Sequence, residues 1–535
     1  MSAVVSTSRA GSVLKSTALV GAMTSLSRVL GLVREMLQSR LIGAGWEQSA
    51  FALAFAIPNM ARKLFGEGAL TAAFVPVFKG EVAAENLDGA RRLARAVMTM
   101  ALLMLGAGVV LGVIGISAAL SFHPWGLSPS AEGCRRAELV LQTTRILLPY
   151  MLFICGAAFG MGILNAMGRF AAAAFMPCLL NVFWIAALAW LVFAGEMPVA
   201  LRVQRVAAAI LTAGAVQMAF MFWCLHRRGM TPRLSFQGWG DEKTRRVWKN
   251  TAVAAMGAGA VQINYMLDQV LGQMASPWAA GVIGYADRLM DLPLGVIGVA
   301  FGTVLLPTFA GCFAQADHDG ARRTFVTATD KMLALMIPAA AGLGLLAPEV
   351  TRVIYEGRAF DGVATVRVAR AVACYAAGLA FFGLQKSLVP WFQAQHDMKT
   401  PLAVSVKMVF LNAFLNVAAV VTLPEEWRHV GLAGSTVLCA AGSCWLLGTR
   451  ARRTDKGALR FAPLAGPVGA TCLATGVMGA ALWFLRPAVH AWSRDVIGSE
   501  ACRAMITLGV LMAAGAAVYF AVRLPLARLK PRAAA

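Results

Sequence analysis

The sequence predicts an all-α polytopic membrane protein of about 14 transmembrane helices: two parallel-repeat six-helix lobes plus a C-terminal helix pair. Three observations predict it. Of 535 residues, 59% are hydrophobic and only 14% charged, where soluble domains carry about 25% charged residues. Mean hydropathy is +0.68, and runs such as "AVMTMALLMLGAGVVLGVIGISAAL" (96–120) are long enough to cross a bilayer, which takes about 20 apolar residues. Finally, separate motifs recur in the two halves at one spacing.

Candidate spans lie near 15–42, 49–80, 94–121, 138–166, 171–195, 203–225, 248–274, 279–312, 325–347, 365–394, 401–423, 430–449, 463–485 and 502–524. The first is long, carries internal arginines and lacks an A-x-A exit, so it is expected to stay as a helix. The net charge of +22 belongs to loops that stay in the cytoplasm, not to nucleic-acid binding. The loop between spans six and seven holds Arg227, Arg228, Arg233, Lys243, Arg245, Arg246 and Lys249. The loop between spans twelve and thirteen holds Arg450, Arg452, Arg453, Lys456 and Arg460, and the tail holds Arg528, Lys530 and Arg532. Loops of the other parity are poorer in cations, which puts both termini in the cytoplasm.

"PVFKGEVAAENLDGARR" begins at Pro76 and "PTFAGCFAQADHDGARR" at Pro307, 231 residues later. Asn181 in "LLNVF" and Asn412 in "FLNAF" stand the same 231 residues apart. This marks an internal duplication. The organisation expected is an N-terminal lobe (1–226, spans one to six), a basic loop (227–247), a second lobe (248–449, spans seven to twelve), and spans thirteen and fourteen with a basic tail (450–535). A unit with an even number of spans returns to its starting face, so the copies run parallel, with the substrate path expected between them. Both copies have a broken second helix: Pro58, Gly66, Gly68 and Pro76 in one, Pro293, Gly295, Gly298, Gly302 and Pro307 in the other. Matching Gly/Pro interruptions are a pointer to a transporter's binding site.

The charges inside these spans need explaining, since one at the bilayer centre costs at least about 2.5–3.5 kcal/mol. Span one holds Arg28, Arg34 and Glu35 within "SRVLGLVREM". Span two holds Arg62, Lys63 and Glu67, span seven Asp268, span eight Asp287, Arg288 and Asp291, and span ten Lys386. On a helix Arg28 and Glu35 share a face and Arg34 lies about 120° away, a spread that suits a wide, wet cavity. Asp287 and Asp291, four apart with Arg288 between, form one polar face. Converging guanidiniums fit an anion, diphosphate above all, because their planar forks make paired charge-assisted bonds. No P-loop, HExxH or G-x-S-x-G pattern occurs in the sequence, and its ten cysteines form no CxxC, so the residues read as a transporter without a catalytic site, not an enzyme. No cofactor is expected. The cationic cavity allows coupling to membrane potential or a monovalent ion, with Asp268 or Asp291 as its site.

"SRVLGLVRE" (27–35), "GAG" (43–45), "AFAIPNMARKLFGEGALTAAFVPVF" (54–78), "ILNAMGRF" (163–170), "YADRLMDLPLGVIGVAFGTVLLP" (285–307) and "QHDMKTP" (395–401) resemble, in order, the MurJ (MviN) family. These are bacterial lipid II flippases of the multidrug/oligosaccharidyl-lipid/polysaccharide exporter superfamily. The resemblance implies alternating access that carries lipid II, a polyprenyl-diphosphate disaccharide-pentapeptide, across the cytoplasmic (inner) membrane for peptidoglycan synthesis. It implies that Arg28, Arg34, Arg62 and Arg288 hold the diphosphate and headgroup, with Asp291 at the family's acidic position and a groove for the polyprenyl tail along the last two helices. Partners implied are lipid II, membrane lipids and the cell-wall synthesis machinery. Glu35, Asp287 and Lys386 are the further charge partners. One position departs from the family: an Asp usually precedes "AF" in span two, and here it is Ser49, with Glu47 two residues earlier. Lys63 stands where a second Arg is common. Exporters of another polyprenyl-diphosphate-linked glycan in the same superfamily share these features.

Overall fold

The computed structural model describes residues 2–66, 68–121, 131–453, 459 and 461–528; Glu67, Lys456, Arg460, Lys530 and Arg532 lie outside them. Every regular element among the described residues is a helix. The chain divides into two compact units, Met1–Val270 with Gly357–Ala359, and Leu271–Glu356 with Phe360–Ala535.

In the first unit, α1 (Ser2–Ile42) is followed by α2 (Trp46–Ala61), a π turn (Arg62–Gly66) and α3 (Ala69–Ala83). Then come α4 (Leu87–Ser121), α5 (Ala131–Leu147), α6 (Tyr150–Ala166), α7 (Phe170–Phe193), α8 (Val199–His226) and α9 (Glu242–Ala275), the last assigned to this unit up to Val270. Helix α1 packs along α7, α2 on α5, and α8 against α6 and α7. Glycines let backbones approach, as is usual in membrane bundles: a β-carbon at Gly160 or Gly214 would run into Met221 or Tyr150. One core gathers Phe74, Phe78 and Phe159; another gathers Phe51, Tyr150, Trp184 and Leu188. The turn after α1 needs Gly43, at φ +81°, where a β-carbon would strike the Ala359 carbonyl.

The second unit contains α10 (Ala279–Pro293), a π turn (Leu294–Gly298), α11 (Val299–Ala314), α12 (His318–Leu345), the short α13 (Ala347–Tyr355) and α14 (Gly362–Ala394). It continues through α15 (Lys399–Thr422), α16 (Glu425–Arg453), α17 (Ala462–Val496) and α18 (Glu500–Arg528). Helix α14 is the hub, touching α10, α11, α12, α13 and α16. Its Trp391 is fully buried and meets Phe309, Phe313 and Phe325 edge-on at 5.3, 5.1 and 5.7 Å. The final pair, α17 and α18, pack on each other, and α17 lies on α12. Tyr519 Oη donates to the Ala334 carbonyl at 2.5 Å, and Arg523 lies 3.6 Å from Asp330 and donates to Thr471 Oγ1 at 3.0 Å.

Ten helices among the described residues are long and apolar enough to cross a bilayer. Four further passages, α1, α2–α3, α9 and α10–α11, complete the fourteen that the sequence predicts. These four carry the π turns or, Lys386 of α14 apart, the intramembrane charges named above, which is why apolar length alone does not select them.

The duplication is visible atom by atom. Asn86 accepts from the Gly89 amide at 2.9 Å, and Asp317, 231 residues later, accepts from that of Gly320 at 2.8 Å. Glu85 and Ala316 both adopt φ +56°. Asp88 pairs with Arg91 at 2.9 Å and Asp319 with Arg322 at 2.8 Å. The repeated "DGARR" is therefore a helix-start device: a side-chain cap, a left-handed residue before it, and an i,i+3 ion pair. The π turns fall at nearly matching places, beginning at Arg62 and at Leu294, one residue out of the 231-residue register.

Candidate substrate-binding site

In the first unit the site is built from α1, α7 and the π turn. Arg28 is exposed on α1, whereas the Arg34 side chain is only 13% exposed. Arg34 Nη1 donates to Asn181 Oδ1 at 3.0 Å, its Nη2 meets Glu35 Oε1 at 2.5 Å, and its guanidinium lies 4.4 Å from the centre of the Trp184 ring. Asn181 Nδ2 donates in turn to the Ser27 carbonyl at 3.0 Å. Ser27 and Arg34 are seven residues apart, two turns on one face of α1, so a single amide of α7 spans both. Trp184 is itself clamped edge-on by Phe51 and Phe55, at 5.7 and 5.6 Å. The indole face thus offers its quadrupole to the cation from a fixed position. Arg34 Nε is buried without a protein partner, so this guanidinium keeps a donor in reserve.

Arg62 opens the π turn, and Asn59, one turn earlier, accepts from its Nε and Nη2 at 3.3 and 2.9 Å. π turns in α-helices cluster at functional sites. Pro58 supplies part of the reason for this one, because its ring disrupts regular i to i−4 bonding. Gly68 closes the break, and a β-carbon there would collide with the Lys63 carbonyl. Lys63 Nζ lies 5.0 Å from the Tyr265 ring centre. Ser49 is fully buried, its hydroxyl 3.4 Å from the Gly45 carbonyl. Neighbouring Glu47 is in the first turn of α2.

In the second unit α10 carries Asp287, half-buried, with Arg288 and Asp291 exposed. Lys386, exposed on α14, runs its stem past Gly298 of the second π turn. Asp268 is half-buried on α9 and accepts from Asn264 Nδ2 at 3.3 Å.

The structure thus brings Arg34 and Glu35 together, sets Arg62 on the first π turn and Lys386 beside the second. Sequence reasoning missed Trp184 and Asn59, and marked Asn181 only as a landmark of the duplication. A polar residue repeated within two otherwise apolar helices is the signal that pointed to Asn181. Nothing local marks Trp184 off from lipid-facing aromatics.

No group of metal-ligating side chains occurs among the described residues.

The family model described as "Lipid II flippase MurJ" matches residues 38–497. A probable lipid II flippase MurJ of Rhizobium tropici is 31% identical over 517 residues, 96% of this chain and 94% of its own. The lipid II flippase MurJ of Burkholderia cenocepacia is 31% identical over 482 residues, 86% and 88% of the two chains. Among solved structures, a lipid II flippase MurJ in an inward closed conformation superposes with a TM-score of 0.76 at 20% identity, covering 96% of this chain and 99% of that one. An inward-facing multidrug resistance MATE family transporter of the MOP superfamily gives 0.66 at 15% identity, over 81% and 97%. The fourteen-passage helical fold and these matches over nearly the whole length agree: the chain is a multi-pass membrane transporter, not an enzyme, and belongs to the MurJ lipid II flippase family.

Proposed function

We propose that this chain carries lipid II from the cytoplasmic to the periplasmic leaflet by alternating access, with Arg28, Arg34, Arg62 and Arg288 as ligands of the diphosphate and headgroup. The observation that carries the reading is Arg34: a guanidinium held inside a membrane protein by Asn181, Glu35 and Trp184, with one donor unspent. Such a group is pre-positioned, and pre-positioning lowers the ordering cost of binding. Glu35, Asp287 and Asp291 act as charge partners of the arginines when the site is empty, and Lys386 is a further cation that pairs with these carboxylates or acts in gating. Ser49 replaces an acidic gate residue, and Glu47 supplies the charge nearby. Both termini are cytoplasmic, as the basic loops argue. Asp268 or Asp291 couples transport to a cation or to membrane potential. The polyprenyl tail lies along α17 and α18, and the cell-wall synthesis machinery is the partner that consumes the cargo.

The test is rescue of a flippase-depleted bacterium, with lipid II scored by leaflet using a cleaving enzyme added outside. Wild type should restore outside access, and Arg28→Ala and Arg288→Ala should insert but fail. Normal export by either stable variant would remove the arginines from the site. If wild type itself fails to rescue, the cargo is another polyprenyl-diphosphate-linked glycan.

A further inference from the structure

A second cluster of arginines, outside every residue discussed as a ligand, lies at the far end of the second unit. A cavity of ≈ 340 Å³ opens where the first turns of α13, α14 and α18 meet the last turns of α17. Four guanidiniums line it, those of Arg352, Arg486, Arg494 and Arg503, against the two carboxylates Glu349 and Glu500. The lining carries two more guanidiniums than carboxylates, or one more once Glu356, which accepts from Arg352 Nε at 3.2 Å, is counted. The N-termini of α13 and α18 add partial positive charge, while that of α14 is capped by Asp361. On the orientation argued above this is the outer face, where basic residues are not needed to fix topology. Their presence there needs another cause.

The polar atoms at the wall are built for a ligand. Glu349 is 7% exposed. Its Oε1 accepts from Arg486 Nε at 2.6 Å and pairs with His490 Nε2 at 2.9 Å, while its Oε2 is buried with no protein partner. Thr507 is 1% exposed and its hydroxyl is likewise without a partner. Leaving such atoms unsatisfied is costly unless something fills the space. A water occupies about 30 Å³, so the cavity has room for a headgroup-sized molecule. Arg352 and Arg494 are exposed, and Arg494 has no partner among the described residues.

We propose that this cavity binds a phosphate group that carries its own O–H or N–H donor. The arginines and Thr507 take the phosphate oxygens, and Glu349 Oε2 accepts from the donor. A phospholipid headgroup meets both demands, and so does hydrogen phosphate in solution.

The full-length protein is stripped of lipid in detergent, then titrated with phosphatidylglycerol or with inorganic phosphate, and bound species are counted by native mass spectrometry. The variants are Arg352→Gln/Arg494→Gln, both at exposed positions, and the near-isosteric Thr507→Val. Loss of two charge-assisted bonds should weaken binding by about 100-fold in the double variant. Thr507→Val should weaken it less, and Glu349→Gln should also weaken it, because the ligand's donor loses its carboxylate acceptor. Arg228→Gln, an exposed loop arginine outside both sites, should bind as wild type does, and the loss in the double variant is read without lipid II, so the inference survives even if that cargo is wrong. Binding of phosphatidylglycerol that phosphate does not displace identifies a headgroup site; displacement by phosphate identifies a soluble anion. Equal binding by wild type and the double variant, or no binding of either probe to wild type, overturns the proposal.

Discussion

Asn181 of α7 holds two positions of α1 at once: its side-chain oxygen accepts from Arg34 Nη1 at 3.0 Å, and its nitrogen donates to the Ser27 carbonyl at 3.0 Å. The amide therefore locks the register of α1 on α7 and orients the guanidinium together. A polar residue in an apolar helix is retained where its bonds are made inside the protein.

Asn181→Leu should cut lipid II transport severely and lower stability by about 1–3 kcal/mol, because a half-buried guanidinium loses an acceptor. Asn181→Asp keeps an acceptor for Arg34 but replaces the donor to Ser27 by a charged oxygen, so it should retain only part of the activity. Complementation growth and thermal unfolding in detergent read the two effects. Equal activity of both variants with wild type would contradict the positioning role.

Trp184 offers the face of its ring to Arg34 at 4.4 Å. A cation–π contact of this kind contributes about 0.5–2 kcal/mol. Trp184→Phe should therefore transport better than Trp184→Leu, and the difference should vanish in an Arg34→Ala background. A difference that persists there assigns Trp184 to packing alone.

Gly68→Ala places a methyl against the Lys63 carbonyl, within the turn that presents Arg62. Forcing backbone here costs about 1–3 kcal/mol, and the π turn is the element that must yield. The expected outcome is a protein that inserts at normal levels but flips lipid II slowly. Gly21→Ala, where a β-carbon meets nothing, is the matched control and should be neutral.

Asp397, in the turn before α15, supports pH-dependent stability. Burial works against its ionised form, but hydrogen bonds from the Thr400 side chain and amide and the Lys399 amide outweigh it and hold its pKa below the ordinary value. The amide bond from Thr400 is 2.9 Å. A carboxylate with a depressed folded pKa stabilises above its unfolded value, near about 4, and loses that stabilisation as pH falls through the folded value. Asp397→Asn keeps an acceptor and removes the titration. Its unfolding midpoint should fall below that of wild type at neutral pH, and the gap should close in acid. A gap independent of pH would leave the cap as a neutral hydrogen bond.

Arg523 joins α18 to α17 through Thr471 and to α12 through Asp330. Only 8% exposed, it resists removal, because breaking one side of a buried charge pair costs about 3–5 kcal/mol. Arg523→Ala should lower the unfolding midpoint markedly, while Arg523→Lys, which keeps the charge, should recover part of it.

Composition and hydropathy determined the membrane class, and two motifs at a 231-residue spacing determined the duplication, because both are written in local sequence. So was the reason "DGARR" recurs: capping, a left-handed turn and an i,i+3 pair all act within a few residues. The same reading marked Arg28, Arg34, Arg62 and Arg288 among the charges inside apolar runs, since such a charge stands out by its cost, and the family resemblance singled out these four. What each charge meets was decided by tertiary structure. Arg34 and Trp184 are 150 residues apart in the chain, and only the packing of α1 along α7 joins them. The π turns belong to the same class. Proline and glycine announce a break, but the packing around α2–α3 and α10–α11 selects its form. The second arginine cavity was invisible for a related reason: Glu349, Arg486 and Thr507 come from three helices, and helix ends meet through folding, not through spacing in sequence.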